Sequence, residues 1–204
     1  GNEFHGTLSS MNPISSWNIG YDSYCLRFTE SPVGQKVVIA SAKQAASFSG
    51  YNPGTAIALA YRNANWSGTY RGLVGKRESS ALYDWSLRAY GNKLSALTTG
   101  PVSIVANIEI PLQQWFVGAA VYSASSTYVY QNGILAGSGS RGNVSNTDTP
   151  IIIGSSTYTE TGEVFDGYIN KIILFARALS SEEIKEISER ILSKETYDFY
   201  EKPS

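Results

Sequence analysis

The chain has 204 residues, only 16% of them charged against roughly 25% in an average soluble domain, with 19 Gly, 14 Tyr and a single Met. Sixteen basic against 17 acidic residues give a net charge of −1, so the basic excess of a nucleic-acid binder is absent and no such partner is expected. One cysteine, Cys25, excludes an intramolecular disulfide, and no run of 18 apolar residues is present to insert into a membrane.

In chain order, short β-rich segments alternate with Gly, Ser, Asn and Pro. Residues up to about 20 are loosely patterned and read as an arm. Tyr24–Phe28, where Cys25 reads as a small buried hydrophobe, and Lys36–Ala40 are candidate strands split by Ser31-Pro32-Val33-Gly34. Gly54–Tyr61, Tyr70–Lys76 and Tyr83–Tyr90 follow, the last ending at the turn Gly91-Asn92. Val102–Ile110 and Trp115–Tyr122 are separated by Pro111. Thr127–Gln131 and Ile134–Gly137 flank Asn132-Gly133, a hairpin signal because a type I′ turn needs positive φ at both central residues. The polar stretch Gly137–Pro150 reads as a long exposed loop. Ile151–Ile153 and Phe165–Phe175 close the series.

A helix over about 181–193 comes next. Ser180 and Glu183 form an S-x-x-E capping box, each satisfying an orphan backbone donor of the other. Ile184, Ile187 and Ile191 then recur at i, i+3 and i+7, an apolar face that must lie on something, and a sheet is the available surface. The tail 196–204 carries Tyr197, Phe199 and Tyr200, which should fold back or dock on a partner. Turn signals arrive every ten residues or so, as in a sandwich, with no composition break that would divide the chain. The expectation is a single all-β domain over 1–204: a two-sheet antiparallel sandwich with one short C-terminal helix.

Three segments resemble concanavalin A-like, laminin-G-like jelly-roll domains. Trp115–Gly133 (WFVGAAVYSASSTYVYQNG) is similar to that family's Trp-led strand, loop and Asn-Gly hairpin; Pro150–Ser155 to its next short strand; Phe165–Ile184 to its F-x-G-x-I…R-x-L-[ST]-x-x-E-I terminus. The pattern is specific for fold and poor for function. The end SKETYDFYEKPS is similar to the aromatic-Pro tails of such domains in bacteriophage and prophage particle proteins. That likeness implies a virion-associated decoration, fibre or tail protein, assembled in a bacterial cytoplasm, with virion proteins or further copies of itself as partners. The alternative is a carbohydrate-binding or lectin-like module of a secreted bacterial protein.

Catalysis finds little support. Glycosidases of this fold class carry E-x-D-x-x-E on one strand so that two carboxylates face one sugar bond. Here Glu160, Glu163 and Asp166 are spaced by three, which alternation splits between faces, and they read as solvated carboxylates. One His and one Cys leave neither a triad nor a zinc site, so the chain is read as no enzyme, with a glycoside hydrolase the last of its alternatives. Relatives holding calcium use loop carboxylates and backbone oxygens; the comparable donors here are Asp148, Asn146 and Asp166, without a D-x-D pair. A surface glycan is the more informative candidate, because aromatic rings stack on apolar sugar faces while Asn and Arg serve hydroxyls. Arg62, Asn65, Trp66 and Tyr70 gather these types, and Tyr51 and Tyr158 add loop aromatics. Ordinary packing or subunit contacts are the competing reading of the same residues, and the one they suit more readily.

Overall fold

The computed structural model describes residues 7–9, 17–19, 24–29, 35–39, 52–66, 70–77, 83–98, 103–142, 149–156 and 163–198. They form two seven-stranded sheets and one helix. The first sheet runs in the order β1 (Thr7–Ser9), β4 (Lys36–Ile39), β13 (Ile151–Ile153), β6 (Tyr70–Arg77), β7 (Tyr83–Tyr90), β8 (Lys93–Thr98) and β9 (Ser103–Glu109). In the second, the order is β12 (Ile134–Ser140), β11 (Ser126–Gln131), β10 (Trp115–Tyr122), β5 (Gly54–Arg62), β14 (Gly167–Phe175), β3 (Tyr24–Phe28) and β2 (Trp17–Ile19). The paired strands are antiparallel throughout. Helix α1 spans Ser181–Asp198.

Strand alternation sorts the residues into layers. Along β5, Ala56, Ala58 and Ala60 turn toward the first sheet and join Phe116, Tyr122, Trp85, Leu87 and Leu94 in the inter-sheet core. Ile57 and Leu59 point the other way, with Val117, Ala119 and Val121, and are covered by Leu179, Ile184 and Ile191. The central strands of the second sheet therefore bury both faces, one under a sheet and one under a helix. Each fully covered Ile or Leu there contributes roughly 1.5–3 kcal/mol. Lys76 and Asp84, both almost fully buried, compensate each other as an ion pair at 3.1 Å.

The turn chemistry follows the sequence. Asn132 and Gly133 have φ of 51° and 81°, the left-handed pair of a type I′ hairpin. The capping box closes both ways: the Glu183 N–H donates to the Ser180 hydroxyl (3.2 Å), and the Ser180 N–H to the Glu183 carboxylate (2.9 Å). Arg177 adds two parallel hydrogen bonds to the same carboxylate, at 2.9 and 2.6 Å.

Four differences stand out. Thr7–Ser9 and Trp17–Ile19, within the stretch read as an arm, pair as β1 and β2. Lys93–Thr98 is a strand although its six residues show little alternation by themselves, because β7 on one side and β9 on the other give it partners. β12 continues to Ser140, three residues into the expected loop, held against β11. The helix runs on to Asp198 rather than ending near 193. Residues 199–204 of the tail lie outside the described residues.

Candidate functional site

The loop leaving β5 and the turn between β7 and β8 meet at one end of the sandwich. The Trp66 N–H donates to the Asn92 side-chain oxygen (3.0 Å), and the Ile110 N–H to the Asn92 carbonyl (2.7 Å). This anchorage decides the fate of Trp66. Its ring is 4% exposed and meets Phe165 edge-on, with centroids 5.2 Å apart. A ring so enclosed offers no face to a sugar; of the two readings open for Trp66, packing is the one its position supports. Arg62 is buried beside it, with its guanidinium 5.6 Å from the indole ring and one nitrogen donating to the Asn65 side chain (3.0 Å). Burial lowers the Arg62 pKa, partly offset by Glu109. Asn65 itself is exposed.

Tyr70 has a different setting. It pairs in register with Tyr90 across β6 and β7, and the two rings lie 4.8 Å apart at 38°. Tyr90 is 43% exposed. Alternation along β7 turns Leu87 and Ala89 into the core and places Arg88 and Tyr90 on the outer face of the first sheet. The Arg88 guanidinium lies 3.6 Å from the centre of the Tyr70 ring, a cation–π contact. One of its nitrogens donates to the Ser103 hydroxyl (3.0 Å). Its Nε and Nη1 have no acceptor, and neither do the buried hydroxyls of Ser95, opposite Arg88 in register, and of Ser86. Burial, then the neighbouring Arg77, pushes the Arg88 pKa down to about 10, so it remains a cation at neutral pH.

The outer face of β6 is roofed close by. A Cβ on Gly72 would fall 1.9 Å from the Ser155 carbonyl carbon, so only glycine lets residues 155–156 cross there. Arg77 donates to the Glu163 carboxylate (2.9 Å), which also accepts from the Ser156 hydroxyl. Glu163 is thus held in an ion pair rather than placed as a free acid or base. Asp166 precedes β14, and its backbone carbonyl accepts from the Asn63 N–H (3.4 Å). Tyr51, Tyr158, Asn146, Asp148 and Glu160 lie outside the described residues. Among the described residues, no three His, Cys, Asp or Glu side chains gather to hold a metal.

A second aromatic group lies on the other sheet. Trp115, Tyr61 and Tyr168 sit side by side on β10, β5 and β14, with centroids 5.6 and 5.7 Å apart, and Arg27 of β3 follows Tyr168 in register. The sequence reading missed this row, Tyr90 and Arg88. The polar series Asp84, Ser86, Arg88, Tyr90 at alternate positions was the signal available for the latter two.

Solved structures share this architecture. The binding domain of Paraclostridial mosquitocidal protein 1 superposes with a TM-score of 0.71 at 14% identity, covering 93% of this chain and 48% of that one. The receptor-binding domain of botulinum neurotoxin C/D mosaic serotype gives 0.66 at 14% identity, covering 92% and 46%. Domain 4 of an extracellular arabinanase from Geobacillus stearothermophilus, solved with arabinotriose, gives 0.60 at 14% identity, covering 90% and 82%. The chain spans about half the length of the toxin domains it matches. These identities establish a shared fold. A search of curated protein sequences finds no match. Residues 55–185, from β5 to the first turn of α1, match the family model of the concanavalin A-like lectin/glucanase superfamily, and the chain belongs to that superfamily.

Proposed function

We propose that this chain is a non-catalytic carbohydrate-recognition module that binds glycan at the Tyr70–Tyr90 end of its first sheet. The observation that carries this reading is the Tyr90 ring: exposed, braced by Tyr70, and set on rigid strands. A braced ring loses little conformational freedom when a sugar stacks on it, which favours binding. Asn65, exposed on the adjoining loop, supplies amide groups for sugar hydroxyls. Superfamily membership and the arabinotriose-bound relative support a binding role. The virion-associated reading would put the same surface on a bacteriophage-type particle; the relatives above favour the binding module over it.

A glycan array followed by calorimetry tests the proposal. Tyr90→Ala should weaken binding of the selected glycan by about tenfold or more, with the circular dichroism spectrum unchanged. Tyr168→Ala, in the aromatic row of the other sheet, should leave it intact. The opposite pattern would move the site to that row, and hydrolysis of the bound glycan would end the non-catalytic reading.

A further inference from the structure

Three polar groups on one face of the first sheet lack partners although they are buried. Arg88 is 2% exposed, and Ser86 and Ser95 are fully covered. Arg88 Nε and Nη1 and both hydroxyls find no hydrogen-bond partner. They form one patch: Ser95 faces Arg88 across β7 and β8, and Ser86 precedes Arg88 by two residues on the same face. Buried polar groups are nearly always paired, and a buried cation needs an anion or a full set of acceptors. Arg77 contacts Glu163 and Lys76 contacts Asp84. Arg62, buried at the loop leaving β5, also leaves Nε and Nη1 without acceptors, but among the described residues no unpaired hydroxyl faces it across a strand pair as Ser95 faces Arg88. Arg88 contacts a serine hydroxyl and an aromatic ring.

Resting on the glycan-binding reading, we infer that the ligand is an acidic glycan whose carboxylate is received by Arg88, with Ser86 and Ser95 as additional donors. The chemistry matches: three donor groups on one face lack acceptors, and a carboxylate is acceptor-only with two oxygens. A neutral sugar hydroxyl would bring an acceptor without charge, whereas Glu163, the anion whose field reaches Arg88, is already bonded to Arg77. Tyr70 covers the guanidinium from the side of exposed Tyr90, so a sugar ring stacked on Tyr90 sets its acid group beside the Tyr70–Arg88 contact.

The test compares glycans that differ only at the acid. Sialyllactose and tri-galacturonate are each titrated against their carboxyl-reduced counterparts, with the unmodified protein. One acidic member should bind about tenfold or more tightly than its neutral partner, the effect of a charge-assisted hydrogen bond. Arg88→Gln, checked for an unchanged circular dichroism spectrum, should erase that difference, and Arg88→Lys should restore part of it. Equal affinity for acidic and neutral members, still lost on Tyr90→Ala, overturns the acidic ligand and leaves the glycan site standing. Absence of binding to any glycan on the array overturns both.

Discussion

The Thr55 hydroxyl ties the first central strand to the start of the helix: it donates to the Arg177 carbonyl (2.9 Å) and accepts from the Leu179 N–H (3.0 Å). Thr55 is 3% exposed, so these two backbone groups have no water to turn to on that side. Thr55→Val keeps the shape and removes both bonds. It should destabilise the fold by about 1–3 kcal/mol, measured by urea unfolding, with the denaturant slope unchanged.

Glu183 gives the helix start a dependence on acid. Hydrogen bonds from Arg177, and then from the Ser180 N–H, hold its carboxyl at a pKa of about 2, below the roughly 4.3 of an unfolded chain. Because the folded value is the lower, the contribution is complete above the unfolded pKa and disappears as pH falls through the folded one. The stability difference between the native protein and Glu183→Gln should therefore be constant above about pH 5 and shrink toward pH 2. Thermal melts across that range measure it, and a constant difference would refute the assignment.

Trp66 and Tyr90 should separate stability from binding. Trp66→Ala empties a core site against Phe165 and should cost about 3–5 kcal/mol. Tyr90→Ala removes an exposed ring and should shift the unfolding midpoint little. Equilibrium unfolding of the two variants side by side checks the contrast.

Gly72→Ala should be costly for a reason invisible in its own strand. The added methyl would overlap the backbone at Ser155 and Ser156, at 1.9 and 2.0 Å, and backbone cannot step aside as a long side chain can. The Gly72 N–H also donates to the Glu163 carbonyl (3.1 Å), so displacing that segment loosens the Arg77–Glu163 pair as well. A loss of about 1–3 kcal/mol or more is expected in a thermal melt.

Elements whose causes are local can be read from the residues alone. Asn132-Gly133 required positive φ, Ser180 and Glu183 required each other, and the three isoleucines of α1 required an apolar surface; each requirement spans fewer than about a dozen residues. Tyr24–Phe28, Tyr83–Tyr90, Trp115–Tyr122 and Ile151–Ile153 fall where the patterning put them. Lys93–Thr98 did not declare itself, since its strand state comes from neighbours on both edges.

Exposure depends instead on contacts between segments far apart in the chain. Trp66 and Tyr70, four residues apart, look alike as aromatic candidates, yet Asn92 draws the loop of the first inward while strand register sets the second against Tyr90. Nothing in Tyr83–Tyr90 taken alone marks Arg88 as buried. Its burial under Tyr70, beside two hydroxyls without partners, arises from β6, β7 and β8 lying together, and no single segment contains that juxtaposition.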